Sequence, residues 1–211
     1  MITVVGSLKG GSGKSTVTFN LAVWLILADC DVQVIDLDPQ ATLRDVAEVR
    51  DEEGFKPSVP VLGKQNLEHE KLKKAEEVLI DIGTADLETM KKALTMADRI
   101  VVPVPPSQAD IWSTQRFIQF ANSLNSTRNV EILGFINRGD THHAVRETDE
   151  AAAALVSLPG IKFLKPRLSQ RTIFRRSFSE GLAVFELSAS SKGASEFEAL
   201  CEKLYPNLVR N

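Results

Sequence analysis

Cysteine is scarce. Cys30 and Cys201 are the only two, and neither has a CxxC or Cys/His neighbourhood, so neither a disulfide framework nor a thiolate metal site is suggested. Long apolar runs are missing too. The longest, 21–28, is far below the roughly 18–20 residues that cross a bilayer. The N-terminus lacks the basic-then-apolar order of a secretion signal, so residence in the cytoplasm is expected. Nor is there an excess of positive charge: the net charge is −3, so the chain does not coat nucleic acid with its whole surface, and any such contact must be local. Low-complexity tracts and internal repeats are absent. What remains, 211 residues with 43% hydrophobic and 25% charged side chains, is the profile of one soluble globular domain.

Short apolar runs alternate with helix-like stretches. Strands are expected at 2–7, 32–36, 78–81, 100–104, 131–137 and 161–164. Helices are expected over 13–28, 42–53, 64–75, 87–97, 111–124, 144–157, 172–179 and 194–204. Strands separated by helices of this length need crossover connections, which predicts a single-domain α/β fold: a mostly parallel twisted sheet with helices on both faces. The first helix is apolar almost all round and should be covered on both sides. Between positions 44 and 77 charges of both signs, including Lys71, Lys73 and Lys74, mix with Pro57 and Pro60. This reads as a solvated surface excursion.

The stretch LKGGSGKST, 8–16, follows the first strand and opens the first helix. There a helix N-terminus offers unpaired N–H groups and a positive dipole end to an anion. Gly10, Gly11 and Gly13 let the backbone wrap phosphate oxygens, Lys14 reaches the β- and γ-phosphates, and Ser15 has the hydroxyl that ligates Mg²⁺. The strict pattern G-x-x-x-x-G-K-[ST] is broken at Leu8, where it requires glycine. The chemistry of a phosphate-binding loop survives that change. A second lysine, Lys9, is more than the loop needs.

The run Lys9-Gly10-Gly11-Ser12-Gly13-Lys14-Ser15-Thr16 resembles the deviant Walker A motif of the ParA/MinD superfamily of P-loop ATPases. VIDLDPQ (34–40) is similar to that family's second conserved segment, and VLIDIG (78–83) occupies the place of its Walker B. VVPVPPSQADIWS (101–113) and LSQRTIFRRSFSEGLAVFE (168–186) look most like short plasmid-partition ParA proteins. The resemblance implies an ATPase using Mg²⁺ and cycling between ATP and ADP. It implies that Lys9 reaches across an ATP sandwich dimer to the partner's phosphates, where a cation stabilises a loose phosphoryl-transfer transition state much as an arginine finger does. It assigns Asp38 to the attacking water, Asp36 to Mg²⁺ or its water ligands, and Asp81 to Mg²⁺ from behind. For Asp36 a plain strand-end cap is the alternative. Gly83 can present an N–H to the γ-phosphate, although the prolines many relatives carry after this aspartate are missing. Asn137 is a candidate for the adenine edge, and the turn of Lys165, Pro166 and Arg167 for the side of the ring. Pro103, Pro105 and Pro106 mark a rigid loop for nucleotide or dimer contact. His142 and His143 lack ligand-spaced partners and read as surface residues.

From 161 to 176 the chain carries Lys162, Lys165, Arg167, Arg171, Arg175 and Arg176 and no acidic residue. Arg171 and Arg175, four apart, are expected to share a helical face. Such a patch can neutralise phosphates of double-stranded DNA without reading bases. With the resemblance, this implies an ATP-dependent homodimer that binds DNA non-specifically on the nucleoid and is released when a ParB-like or other adaptor stimulates hydrolysis. Two other classes stay open: a MinD-like membrane-associated ATPase, disfavoured by Glu196, Glu198, Glu202 and Pro206 near the C-terminus, and a P-loop ligase that activates a carboxylate. Iron-protein chemistry lacks its cysteines.

Overall fold

The computed structural model describes residues 1–68, 72, 74–141 and 146–210. In chain order the elements are β1 (Ile2–Val5), α1 (Lys14–Leu27), β2 (Val32–Asp36), α2 (Thr42–Glu52), β3 (Val61–Leu62), β4 (Glu77–Asp81), α3 (Leu87–Met96), β5 (Arg99–Val104) and α4 (Gln108–Leu124). They continue with β6 (Glu131–Gly139), α5 (Glu147–Ser157), β7 (Lys162–Phe163), β8 (Leu168–Ser169), α6 (Thr172–Ser179), α7 (Val184–Leu187) and α8 (Lys192–Leu204). The strands form one eight-stranded sheet in the order β3-β2-β4-β1-β5-β6-β7, with β8 paired to β6. Every pairing is parallel.

Because side chains alternate along a strand, successive apolar residues feed two cores. Val5, Val34, Leu79 and Val101 pack on one face with α1 and with Phe185, Phe197 and Leu200. Val4, Ile35, Ile80 and Ile100 pack on the other with Met90, Leu94, Phe117 and Leu155. α1 is sandwiched as its composition predicts: Trp24 is buried and stacks on Tyr205 with centroids 6.1 Å apart. The fold agrees with the α/β expectation.

Local differences have local causes. Two strands, β3 and β8, escape the sequence reading because only two residues each are paired. α4 starts earlier than expected because Ser107 caps it, accepting from the Asp110 N–H at 3.2 Å. The stretch expected as a helix over 64–75 opens as a 3₁₀ turn, Lys64–Asn66, and residues 69–71 and 73 lie outside the described residues. So do His142, His143 and the expected first two residues of α5's segment, 144 and 145. α7 has no counterpart in the sequence reading. Its Glu186 accepts both guanidinium arms of Arg50 on α2, at 2.7 and 2.8 Å, while Arg50 also donates to the carbonyls of Pro57 and Gly181. Arg50 is completely buried.

Candidate functional site

The C-terminal ends of β1, β2, β4 and β6 open on one edge of the sheet, where ligands of open α/β folds bind. A cleft of about 510 Å³ lies there, lined among others by Gly10, Gly11, Gly13, Lys14, Ser15, Thr16, Asp38, Thr84, Asn137 and Arg138. Its size suits a small-molecule ligand. Gly13 caps α1 in the left-handed region at φ +89. A Cβ there would also come within 2.4 Å of the Asn137 amide nitrogen. Only glycine fits both demands. At Gly10, by contrast, a Cβ would meet nothing within 4 Å, so this conformation does not require that glycine.

The two lysines point to different places. Lys14 is buried, its Nζ 3.2 Å from the Lys9 carbonyl oxygen and 3.4 Å from Ser7 Oγ. Burial pushes its pKa below the usual lysine value, opposed by the nearby Asp81 and Asp38 carboxylates. Ser12, nearly fully buried, shares a 2.9 Å hydrogen bond with Ser7 inside the loop. Lys9 does not line the cleft. Its Nζ lies 2.9 Å from Oδ1 of Asp110, in the first turn of α4, and the other carboxylate oxygen accepts from Ser107 Oγ. Asp110 was not among the expected site residues. Ser107-Gln108-Ala109-Asp110 signals a helix start, and nothing in that signal points to Lys9.

Behind the loop, Ser15 Oγ donates to Asp81 Oδ2 at 2.6 Å. Asp81 Oδ1 is buried without a hydrogen-bond partner, and burial pushes the carboxyl up to about 7. A hydroxyl beside an orphaned carboxylate oxygen is a donor set that fits a hard divalent cation such as Mg²⁺, and Ser15 and Asp81 would hold it. Asp36 takes the other course. Its oxygens accept the backbone N–H groups of Asp38 at 2.9 Å and Arg44 at 3.3 Å, and it does not line the cleft. The cap, the alternative expected for it, is what these bonds show. Asp38 lines the cleft and accepts from Gln40 N at 3.0 Å. A Cβ at Gly83 would lie 2.8 Å from Asp38 Cα, so only glycine lets these two segments touch.

The base-side candidates fall in two places. Asn137 lines the cleft, but its amide nitrogen donates to the Ser12 carbonyl at 2.6 Å and thereby straps the loop to β6. Lys165, Pro166 and Arg167 do not line the cleft; Leu168, Ser169, Gln170, Arg171 and Thr172 do. Arg138, at φ +59, donates to the Gly11 carbonyl and is a cleft residue that the sequence reading gave no role.

Most of the basic run is compensated. Lys162 pairs with Glu131 at 2.9 Å, Arg167 with Asp149 at 2.6 Å, Arg171 with Glu196 at 2.7 Å and Arg176 with Glu180 at 2.8 Å. Lys165 and Arg175 have no ion pair among the described residues. Nor do Arg171 and Arg175 share a helical face in the simple sense, because Arg171 is the extended N-cap of α6. Both line the cleft.

A parallel sheet whose first strand runs through a glycine-rich, lysine-bearing loop into a buried helix defines a P-loop nucleotide-binding protein. More narrowly, residues 3–184 match the family model described as the CobQ/CobB/MinD/ParA nucleotide binding domain, and the chain belongs to that family. It is 26% identical over 199 residues to the maintenance of carboxysome distribution protein A of Halothiobacillus neapolitanus, covering 91% of this chain and 90% of that protein. Among solved structures it superposes on apo McdA of Cyanothece with a TM-score of 0.79 and 19% identity, over 96% of this chain and 98% of the other. On a plasmid partition protein from Borrelia burgdorferi the TM-score is 0.71 and the identity 18%, over 97% of each chain.

Proposed function

We propose that this protein is an ATP-hydrolysing positioning protein: two copies close on ATP, the closed dimer holds double-stranded DNA without sequence preference, and an adaptor protein that stimulates hydrolysis releases it. The observation that carries this reading is the split between the lysines. Lys14 turns into its own phosphate cradle, whereas the Lys9 ammonium lies outside it, 2.9 Å from Asp110. A cation placed there serves a phosphate other than the one its own loop holds.

In this reading the P-loop amides and Lys14 bind the β- and γ-phosphates, and Lys9 leaves Asp110 to neutralise charge on the partner's transferring phosphoryl group. Asp38, at the cleft wall, orients the water that attacks the γ-phosphorus. Ser15 and Asp81 would hold Mg²⁺, which would supply charge neutralisation of the phosphate oxygens. DNA contact falls to Lys165 and Arg175, with the paired Lys162, Arg167, Arg171 and Arg176 adding only what their carboxylates release. The cargo is plasmid DNA, as for the Borrelia relative, or a protein assembly, as for the carboxysome distribution protein. Residence on the nucleoid follows from the DNA contact.

The test is fluorescence anisotropy of a labelled random duplex with no nucleotide, with ADP and with ATP plus Mg²⁺, over a salt series. Tight binding is expected with ATP alone, falling steeply as salt rises, and Lys9→Ala is expected to lose the ATP dependence. Equal affinity in all three states would overturn the reading.

A further inference from the structure

Among the described residues other than glycine, three have a positive φ: Asp29, Ala41 and Arg138. Asp29 lies in the turn after α1, and Ala41 is the N-cap of α2. Arg138 is the one inside a strand. The left-handed region crowds the Cβ of an L-residue against its own backbone, so a β-bulge that needs it is normally built on glycine. Here β6 carries such a bulge. Asn137 pairs with Leu168 and Gly139 with Ser169, so two neighbouring residues of β8 face three of β6, and Arg138 is left between the paired positions. Its surroundings hold it there: Gly139 O accepts the Gln170 N–H at 2.8 Å, and the Asp140 N–H donates to Thr148 Oγ1 at 3.0 Å.

The bulge changes what two adjacent side chains can reach. Along a regular strand Asn137 and Arg138 would point to opposite faces of the sheet. Instead both reach the phosphate loop and take successive carbonyls, Asn137 donating to Ser12 O and Arg138 Nη1 to Gly11 O. A peptide unit is planar and trans, so its C=O and N–H point opposite ways. Fixing the oxygens of Gly11 and Ser12 therefore fixes the directions of the Ser12 and Gly13 N–H groups, which belong to the run of amides that can cradle an anion. Gly11 and Gly13, at φ +76 and +89, bring the greatest backbone freedom to this segment. The two straps remove it.

We propose that Arg138 is a positioning residue for phosphate binding, which presets the amides of the loop before the nucleotide arrives. The inference rests on the reading that this loop binds nucleotide phosphates, and adds what holds the loop in shape. The strained backbone is what brings the second donor to bear. Because a preset loop binds without first being ordered, losing the strap weakens binding.

The experiment uses the full chain with ADP and Mg²⁺. Calorimetric titration of wild type, Arg138→Ala, Arg138→Gly and Arg138→Lys is run at low and at high salt, and the melting temperature of each is measured without nucleotide. Ala and Gly remove the same donor, so each should weaken ADP about tenfold, the loss of one charge-assisted hydrogen bond. The factor should be the same at both salts, because the lost bond lies within the protein. Lys keeps a donor and should recover part of the affinity. Melting temperatures should divide the variants differently: glycine adopts φ +59 without strain, so Arg138→Gly should melt about 2–4 °C above Arg138→Ala. A merely structural role would make affinity follow stability, whereas here the two separate. ADP affinity equal to wild type in Arg138→Ala and Arg138→Gly would overturn this inference and leave the nucleotide reading standing. So would a loss that disappears at high salt, which would make Arg138 a charge near the phosphates and not a strap. A wild type that does not bind ADP would overturn both.

Discussion

Asp81 sits in the site with one oxygen bonded to Ser15 and the other bonded to nothing. Buried and near Asp36 and Asp38, it holds a proton up to about pH 7, whereas the same group in an unfolded chain gives it up near 3.8. Between those values the folded state binds the extra proton. The contribution of Asp81 to stability is therefore greatest below 3.8, falls as pH rises through that window, and is flat above about 7. The melting temperature of the nucleotide-free protein should follow this fall, and Asp81→Asn should flatten it in part. A slope remains because Asp36 and Glu77, both raised by burial, act in the same direction. A titration in which Asp81→Asn melts with the wild-type slope would contradict the assignment. At this scale the sequence is a good guide to residues whose role is covalently local, such as Lys14 and Ser15 on one loop. It is a poor guide to Asp36, whose role depends on which backbone N–H groups the following turn presents, and to Asp110, which meets Lys9 only after β5 has paired with β1.

Elements come together through contacts with no sequence period. The buried Arg50 of α2 reaches Glu186 of α7 across 136 positions, and Glu186 in turn accepts the Ala183 N–H that begins its own helix. Removing one partner of a buried pair leaves the other charged and unsatisfied, so Arg50→Ala is expected to destabilise the fold by about 3–5 kcal/mol. Urea unfolding would measure it, and a loss under about 1 kcal/mol would show the pair to be replaceable by water. This clamp explains why the stretch after position 44 was the least legible in the sequence. Its charges look solvated because no sequence signal pairs them, yet Arg50 is fully buried, held by the nearby Pro57 carbonyl and by Gly181 and Glu186 more than a hundred positions away. Long elements with a complete apolar face, such as α1 and β5, were legible for the opposite reason. They carry their burial in their own composition.

Across the whole molecule, charge has to be counted after folding. The run from 161 to 176 contains no acid, but Glu131, Asp149, Glu180 and Glu196 are brought to it by β6, α5, the end of α6 and α8. A binding surface read from that run alone is too strong. Lys165→Ala and Arg175→Ala together should lower DNA affinity and reduce the log–log salt slope by about one for each residue. Lys162→Ala should change little, since it removes a cation already neutralised. A larger effect from Lys162 than from Lys165 and Arg175 would move the DNA surface to the other side of the fold.

The contact between Lys9 and Asp110 has a further consequence. A copy whose lysine is already engaged has nothing to offer a neighbour met by chance, and crowding alone does not latch two idle molecules. In the dimer proposed above, closure begins only where a stronger anion outbids the aspartate. The dwell time of that proposed pair is then set by how long the anion stays triphosphate, and the return of lysine to aspartate resets each half for another round.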